Sequence, residues 1–441
     1  MEKLPKNPLL PHFYISKSFF LAKHFRQPLL KAEERKPWEA FSFAKEKPWE
    51  KKTFLLVKRF SPMFFASLLE KGFCGEATFF PRLFSRLHPA GRRKKGFASS
   101  GAIFPRLFSN RKKGFFKQFP SVFFLMHSAE QFLPKETIAM LKRQQYKLFG
   151  HSAVKLCHWT KASLYKNQSC YKQLFYGIQS HRCLQMTPSV SWCDQNCVFC
   201  WRPLTKPEPF PEEFDEPSEI IDEAIRQQRV LLSGYGEFRE KIGEKKLREA
   251  NSPNQAAISL AGEPTLYPKI GELIEEFRKR NFTAFLVSNG MHPEVLEKIS
   301  LPTQLYISLE APNEQVHKKI NAPISKDSWK RLNSTLELLP SLKTRRAIRI
   351  TAIKGLNMSH EKEFAKLIEK AEPDFVEVKS YMFVGYSRQR LKIENMPLHE
   401  EVKEFAEKIN ESLGYNFAGE SRPSRVVLLS KKKGGTKIAK P

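Results

Sequence analysis

From residue 184 onward, short apolar runs alternate with stretches whose hydrophobic positions recur every three to four residues. The runs at 184–190, 256–260, 283–287, 304–309, 347–353 and 375–379 read as strands. Between them, Ile270, Leu273, Ile274 and Phe277 fall at i, i+3, i+4 and i+7, and Ile220, Ile221, Ala224 and Ile225 form a similar stripe. Such stripes are the core-facing sides of amphipathic helices and carry no chemistry themselves. Strand–helix alternation predicts a parallel sheet with helices packed outside. Six such units predict an α/β fold of the incomplete (β/α)6 barrel type, whose loops after the strand C-termini carry the chemistry.

Residues 1–125 follow neither period. They hold 26 Lys/Arg against 8 Asp/Glu, and 22 of the 37 phenylalanines. Lys36-Pro-Trp-Glu39 returns at Lys47, Phe80-Pro-Arg-Leu-Phe-Ser85 at Phe104, and Arg93-Lys-Lys-Gly-Phe97 at Arg111. Repetitive, basic, Phe/Pro-rich sequence of this kind is not expected to build a core, so this segment is expected to be disordered. Two origins fit it: an RNA-binding tail, or upstream sequence translated from a misplaced start, with Met126 or Met140 as the beginning. Cys74 lies there and is assigned nothing. The whole chain carries a formal net charge of +29, which favours a polyanionic partner such as nucleic acid. No run approaches the ~18 apolar residues of a membrane span.

The other six cysteines fall in one window, at Cys157, Cys170, Cys183, Cys193, Cys197 and Cys200. The last three read Cys193-Asp-Gln-Asn-Cys197-Val-Phe-Cys200, the C-x3-C-x2-C spacing of a radical S-adenosylmethionine enzyme. Three thiolates on one short loop hold three irons of a [4Fe-4S] cube and leave the fourth open. An open iron can chelate S-adenosylmethionine, and an electron from the cluster can then release a 5′-deoxyadenosyl radical. Zinc sites usually pair cysteines as C-x2-C twice, and no second C-x2-C exists here. A disulfide framework suits small secreted chains; no signal peptide is read here, and clustered thiols fit a reducing cytoplasm.

Context favours the radical reading. The cysteine loop follows the first strand, Gly262-Glu263-Pro264 the second, and Ser288-Asn289-Gly290 the third. The fourth ends in Ser308-Leu309-Glu310, and the sixth runs into Lys379-Ser380-Tyr381. Each is ordinary turn chemistry alone. Together they line one end of the expected barrel.

Over residues 135–429 the chain resembles the archaeal tRNA 4-demethylwyosine synthases of wybutosine-type base biosynthesis. The stretches that carry the likeness are Cys193 to Trp201-Arg202-Pro203, Ser259 to Pro268, Ile307 to Asn313, Arg349 to Met358, Val378 to Ser387 and Ser424 to Leu429. The most specific mark is the upstream trio Cys157, Cys170 and Cys183, at 13-residue intervals. The resemblance implies that this trio binds a second [4Fe-4S] cluster. It implies a tRNA substrate bearing N1-methylguanosine 3′ of the anticodon, with pyruvate as co-substrate. Lys172 matches a lysine beside the second cluster, implied either to form a Schiff base with pyruvate or to pair with its carboxylate; an exposed lysine is the third reading. Gly262, Glu263 and Pro264 resemble the segment that meets the methionyl amino group. Ser288, Asn289, Ser308 and Glu310 stand where carboxylate or ribose contacts are expected, and Phe199 where an aromatic packs on adenine.

For tRNA, the candidates are Lys155, Lys161, Lys166, Arg202, Lys379, Arg388, Arg390 and Arg422. His151, His158 and His181 have no ligand spacing. The expected organisation is an N-terminal extension at 126–183, a partial barrel at 184–390, a C-terminal extension at 391–430 and a basic tail at 431–441. No flavodoxin-like pattern is read in residues 1–125, so an external electron donor and the stand-alone archaeal form, as a monomer, are expected. Two alternatives remain: a radical enzyme acting on another substrate, and a zinc-stabilised RNA-binding protein without catalysis.

Overall fold

The computed structural model describes residues 126–204 and 209–439. The expectations for residues 1–125 lie outside the described residues. Ten strands form one mixed sheet: β1 (Lys147–Phe149), β2 (Ser152–Val154), β3 (Cys183–Thr187), β4 (Gln255–Ile258), β5 (Thr283–Ser288), β6 (Gln304–Ser308), β7 (Arg345–Ala352), β8 (Phe375–Ser380), β9 (Asn416–Ser421) and β10 (Val426–Ser430). The order is β1-β2-β3-β4-β5-β6-β7-β8-β10-β9. Strands β3 to β8 are parallel neighbours in sequence order, and they are the six expected. β2 pairs antiparallel with β3, and β10 antiparallel with β8, so the parallel set ends in antiparallel ribbons rather than closing on itself. The fold is the expected α/β incomplete barrel, six parallel strands with helices between them in the chain.

The helices that bear on the site and its supporting core are α1 (Lys135–Arg143), α2 (His158–Tyr165), α3 (Tyr171–Tyr176), α4 (Pro217–Leu232), α5 (Ile270–Lys279), α6 (Glu314–Asn321), α7 (Ser328–Leu338), α8 (Glu361–Ala371) and α9 (His399–Leu413). The stripes read from the sequence lie on α4 and α5 and join one core with Met186, Ile258, Leu286, Ile307, Ile350 and Val378. Each such side chain contributes about 1.5–3 kcal/mol when fully buried. Local signals set the helix starts. Pro217 follows Glu216 in a capping box with Glu219, and the Asn313 side chain accepts from Val316 N at 3.0 Å to open α6.

The alternate positions of the strands face inward. Phe285, Tyr306, Ala347, Phe375, Val426 and Leu428 meet Tyr171, Phe175 and Tyr176 of α3. One short helix of the N-terminal segment therefore plugs the inner face of the sheet.

Two features differ from the sequence reading. The run at 184–190 is strand only to Thr187, because Pro188 cannot donate to a ladder and its carbonyl instead accepts from the His151 ring at 2.5 Å. The segments expected as extensions also supply β1, β2, β9 and β10 to the main sheet. Runs of three residues leave too little alternation to read, and Asn416-Phe-Ala-Gly-Glu-Ser421 has no apolar face.

Candidate active site

The loop Cys193–Cys200 leaves the end of β3 and is clamped from three sides. From the β4 turn, Glu263 N donates to Trp192 O at 2.7 Å, and Ser189 Oγ donates to Glu263 O at 2.8 Å. Gly262 holds φ +70°, and a Cβ there would lie 1.7 Å from Ser189 O, so only glycine lets these backbones meet. From the end of α6, Asn321 O accepts from Asn196 N at 3.0 Å and Ile320 O from Val198 N at 2.9 Å. From the segment after β8, Arg390 Nε donates to Val198 O at 3.1 Å, its Nη2 bonds Cys200 O, and Tyr386 N donates to Trp201 O at 3.0 Å. Arg202 is 4% exposed and donates to Gln195 O at 2.9 Å.

The three thiols are unpaired and only partly covered. Burial pushes Cys193 up to about 12, and burial with the Cys193 and Cys200 sulfurs pushes Cys197 well above its usual range. Thiols in such a place ionise when a metal takes the proton's position. Asn321 Nδ2 points at Cys197 Sγ from 3.7 Å, a donor aimed at a ligand sulfur. Three thiols on one short loop, spaced C-x3-C-x2-C, suit a cluster that leaves one iron open.

Around this loop the other expected residues gather at the strand ends. Glu263 is buried; its Oε1 accepts from Thr265 N at 3.1 Å and Thr265 Oγ1 at 2.7 Å, and its Oε2 from Asn289 N at 2.8 Å. Burial, and then Asp194, raise its carboxyl. Asn289 also reaches Asp194 through Nδ2, and His292 Nε2 meets the other Asp194 oxygen at 2.8 Å. The Asn289 side chain is thus a clip on the cysteine loop. Ser288 Oγ accepts from Gly290 N at 3.0 Å, Pro264 is buried in a short turn, and half-buried Ser308 ends β6. Glu310 accepts from Thr351 N at 2.6 Å and Thr351 Oγ1 at 3.1 Å, and burial raises its carboxyl. Phe199 packs beside Ile353, Tyr381 and Phe383.

The upstream cysteines come from three elements: Cys157 before α2, Cys170 before α3, and Cys183 opening β3. The fold brings them together. Burial raises all three thiols; Cys157 adds to the effect on Cys170, pushed up to about 12, and Cys157 and Cys170 add to that on Cys183. Lys172 lies beside them. Its Nζ is sealed from solvent without a hydrogen-bond partner, 3.7 Å from the Tyr306 ring centre and 4.6 Å from that of Phe285. Burial lowers this amine to about 8, against the opposing pull of Glu377 and with the help of Arg349. Glu377 Oε1 accepts from Tyr176 OH at 2.6 Å and Tyr306 OH at 3.0 Å.

Not every expected residue lands at the surface. Arg202 and Arg390 organise the cysteine loop, so they are corrected from tRNA candidates to loop clamps. Lys379 faces inward beside Glu377, where burial lowers its amine to about 8. Arg422 pairs with Glu400 at 2.5 Å; Lys166 and Arg388 are exposed, and Lys155 and Lys161 half-buried. His151 and His181 hold structural bonds to Pro188 O and Glu249, and His158 is exposed. Sequence reasoning missed Asp194, His292, Asn321, Arg349, Glu377 and Tyr306. Tyr306, Arg349 and Glu377 lie within β6, β7 and β8, Asn321 ends α6, and Asp194 and His292 stand in the loops after β3 and β5; a polar residue inside an apolar strand run was the available signal for the first three.

Fold and cysteine loop define a radical S-adenosylmethionine enzyme, a class that carries a [4Fe-4S] cluster and binds S-adenosylmethionine; the radical SAM superfamily model matches residues 187–368. A model for wyosine base formation matches residues 370–431. The S-adenosyl-L-methionine-dependent tRNA 4-demethylwyosine synthase of Pyrococcus horikoshii is 51% identical over 305 residues, 67% of this chain and 89% of that protein. That of Methanocaldococcus jannaschii is 43% identical over 306 residues, 67% and 96% of the two chains. A solved structure of TYW1 with a lysine-pyruvate adduct bound matches with TM-score 0.65 at 42% identity, over 69% of this chain and 99% of that one. This chain belongs to the tRNA 4-demethylwyosine synthases, radical S-adenosylmethionine enzymes of tRNA modification. Among the described residues no helix is long and apolar enough to cross a membrane.

Proposed function

We propose that this enzyme condenses N1-methylguanosine, 3′ of the anticodon of tRNA(Phe), with pyruvate to form 4-demethylwyosine. In this reading it works in the cytoplasm as a monomer, with an external electron donor. The observation that carries the reading is Lys172: a sealed, unpartnered amine beside a second cysteine trio, inside a barrel capped by the radical-site loop. A related structure holding a lysine–pyruvate adduct supports it.

Cys193, Cys197 and Cys200 would hold the radical-site cluster, and Cys157, Cys170 and Cys183 a second [4Fe-4S] cluster. Gly262, Glu263, Pro264, Ser288, Asn289, Ser308, Glu310 and Phe199 would surround S-adenosylmethionine. When bound, these groups supply homolytic hydrogen abstraction from the N1-methyl group and Lewis-acid polarisation of a keto oxygen. The chain's own residues do the rest. Lys172, as neutral amine, attacks the keto carbon of pyruvate and water leaves, which fixes the three-carbon unit in the chamber. Tyr306 and Phe285 exclude water around that nitrogen. Residues 126–183 and 391–430 serve as extensions of the barrel at 184–390. The target base leaves its stack to reach the chamber, as base-modifying enzymes require.

Lys172→Ala tests the reading. Product formation from N1-methylguanosine tRNA should fall at least ~1,000-fold, while S-adenosylmethionine cleavage persists within about threefold, since only the covalent step is removed. Full product with Lys172→Ala would sink the Schiff-base step. Product without pyruvate would sink the reaction.

A further inference from the structure

Strand β8 turns Phe375, Glu377 and Lys379 to the inner face and Val376 and Val378 to the outer core. Glu377 is tied by Tyr176 and Tyr306, and the Tyr306 ring carries the Lys172 nitrogen. Lys379 stands two residues further along the same face, about 6–7 Å on. The charges that reach it are Arg349, Cys170, Glu377 and Cys157. Those that reach Lys172 are Glu377, Arg349, Cys170 and Cys183. The two amines therefore share one inward-facing region around Glu377, the chamber of this reading.

Their situations differ. The Lys172 nitrogen is sealed; Lys379 is half-buried and, among the described residues, its side chain makes neither hydrogen bond nor ion pair. Arg349, the third cation, has Glu377 as its cross-strand partner, and Tyr171, Glu310 and Glu377 favour its charge against burial. Two carboxylates, Glu310 and Glu377, thus serve three inward cations, and Lys379 has no ion-pair contact with either, an arrangement that an arriving anion would relieve. A 2-oxo acid offers two handles on adjacent carbons, a carbonyl for an amine and a carboxylate for an ammonium.

We propose that Lys379 is the carboxylate anchor of this chamber: its ammonium binds the carboxylate of a small 2-oxo acid and so aims the keto carbon at Lys172. This rests on the reading that the chamber takes pyruvate. It also separates two roles that the sequence left open for Lys172, giving covalent capture to Lys172 and charge recognition to Lys379.

The test compares wild type, Lys379→Met and Lys379→Arg, each anaerobically reconstituted and matched for iron content. Labelled pyruvate binding is read by equilibrium dialysis. Borohydride trapping at Lys172 is read by peptide mass spectrometry, with pyruvate and with its uncharged methyl ester. Lys379→Met should weaken pyruvate binding about 10–100-fold, the worth of a hydrogen bond to a charged group. Trapping of the methyl ester should stay within about twofold of wild type, and Lys379→Arg should recover most pyruvate binding. Unchanged pyruvate binding in Lys379→Met overturns the proposal. So does an equal loss of pyruvate and methyl ester, which would mark Lys379 as a counterion to the thiolates only. Wild type that binds pyruvate without an adduct at Lys172 removes the Schiff-base reading and leaves the dialysis comparison to decide Lys379. Wild type that binds no pyruvate sinks both.

Discussion

The two cysteine trios are built in opposite ways. Cys193, Cys197 and Cys200 sit on eight consecutive residues, and the surrounding fold only steadies them: Gly262, Asn321 and Arg390 each press the loop from a different strand or helix. Cys157, Cys170 and Cys183 lie on three elements and meet only because α3 is drawn into the barrel and β3 begins beside it. A local trio can bind metal with little folding entropy still to be lost, whereas a dispersed trio couples metal binding to the packing of the N-terminal segment. The first site is a loop property. The second is a property of the whole barrel.

Removing each trio should break this comparison most sharply. Replacement of Cys157, Cys170 and Cys183 by Ala should lower iron from about eight to about four per chain, leaving S-adenosylmethionine cleavage. Replacement of Cys193, Cys197 and Cys200 should leave about four irons but abolish cleavage. Iron and labile sulfide assays with cleavage kinetics check both, and about four irons in wild type would remove the second cluster. The dispersed trio should also stabilise globally: its loading should raise the melting temperature more than loading of the loop trio.

The next largest effect falls on the clamp. Gly262→Ala places a Cβ on Ser189 O at positive φ and should cost about 2–4 kcal/mol, read by denaturant unfolding. If the loop trio is locally self-sufficient, iron binding there should survive in the part of the population that folds.

Asn321→Ala removes the donor aimed at Cys197 and should lower radical-site cluster retention or cleavage rate about 10–100-fold, as losses around metal ligands do. Asn321→Gln restoring neither would mark a role in position rather than donor chemistry. Cluster spectra and cleavage rates distinguish the two.

The smallest effect is a pH dependence. Burial lowers the His292 pKa, but its bond to Asp194 outweighs that, so the net shift is upward. A raised pKa in the folded state gives stability that is full below the unfolded value of about 6.5 and fades as pH rises through the folded value. Wild type should therefore exceed His292→Asn in melting temperature by about 1–3 °C at pH 5.5, with the gap closing at higher pH. A constant gap would assign the pair a packing role alone.

Much of the architecture was legible in the sequence for a physical reason. Buried parallel strands and one-sided helices need apolar residues at fixed periods, so β3 to β8 and the stripes on α4 and α5 declare themselves locally. A loop trio likewise declares itself through spacing. Edge strands such as β1 and β9 are short or polar and owe their pairing to neighbours, so no local period revealed them. Arg202 and Lys379 show the same limit: a sequence marks them as charged, but only packing decides whether the charge meets solvent, a loop carbonyl or a chamber. Covalent spacing and hydrophobic period are local and survive in the sequence. Burial, charge pairing and the meeting of Cys157, Cys170 and Cys183 with Lys172 depend on contacts between distant segments, which only the tertiary structure decided.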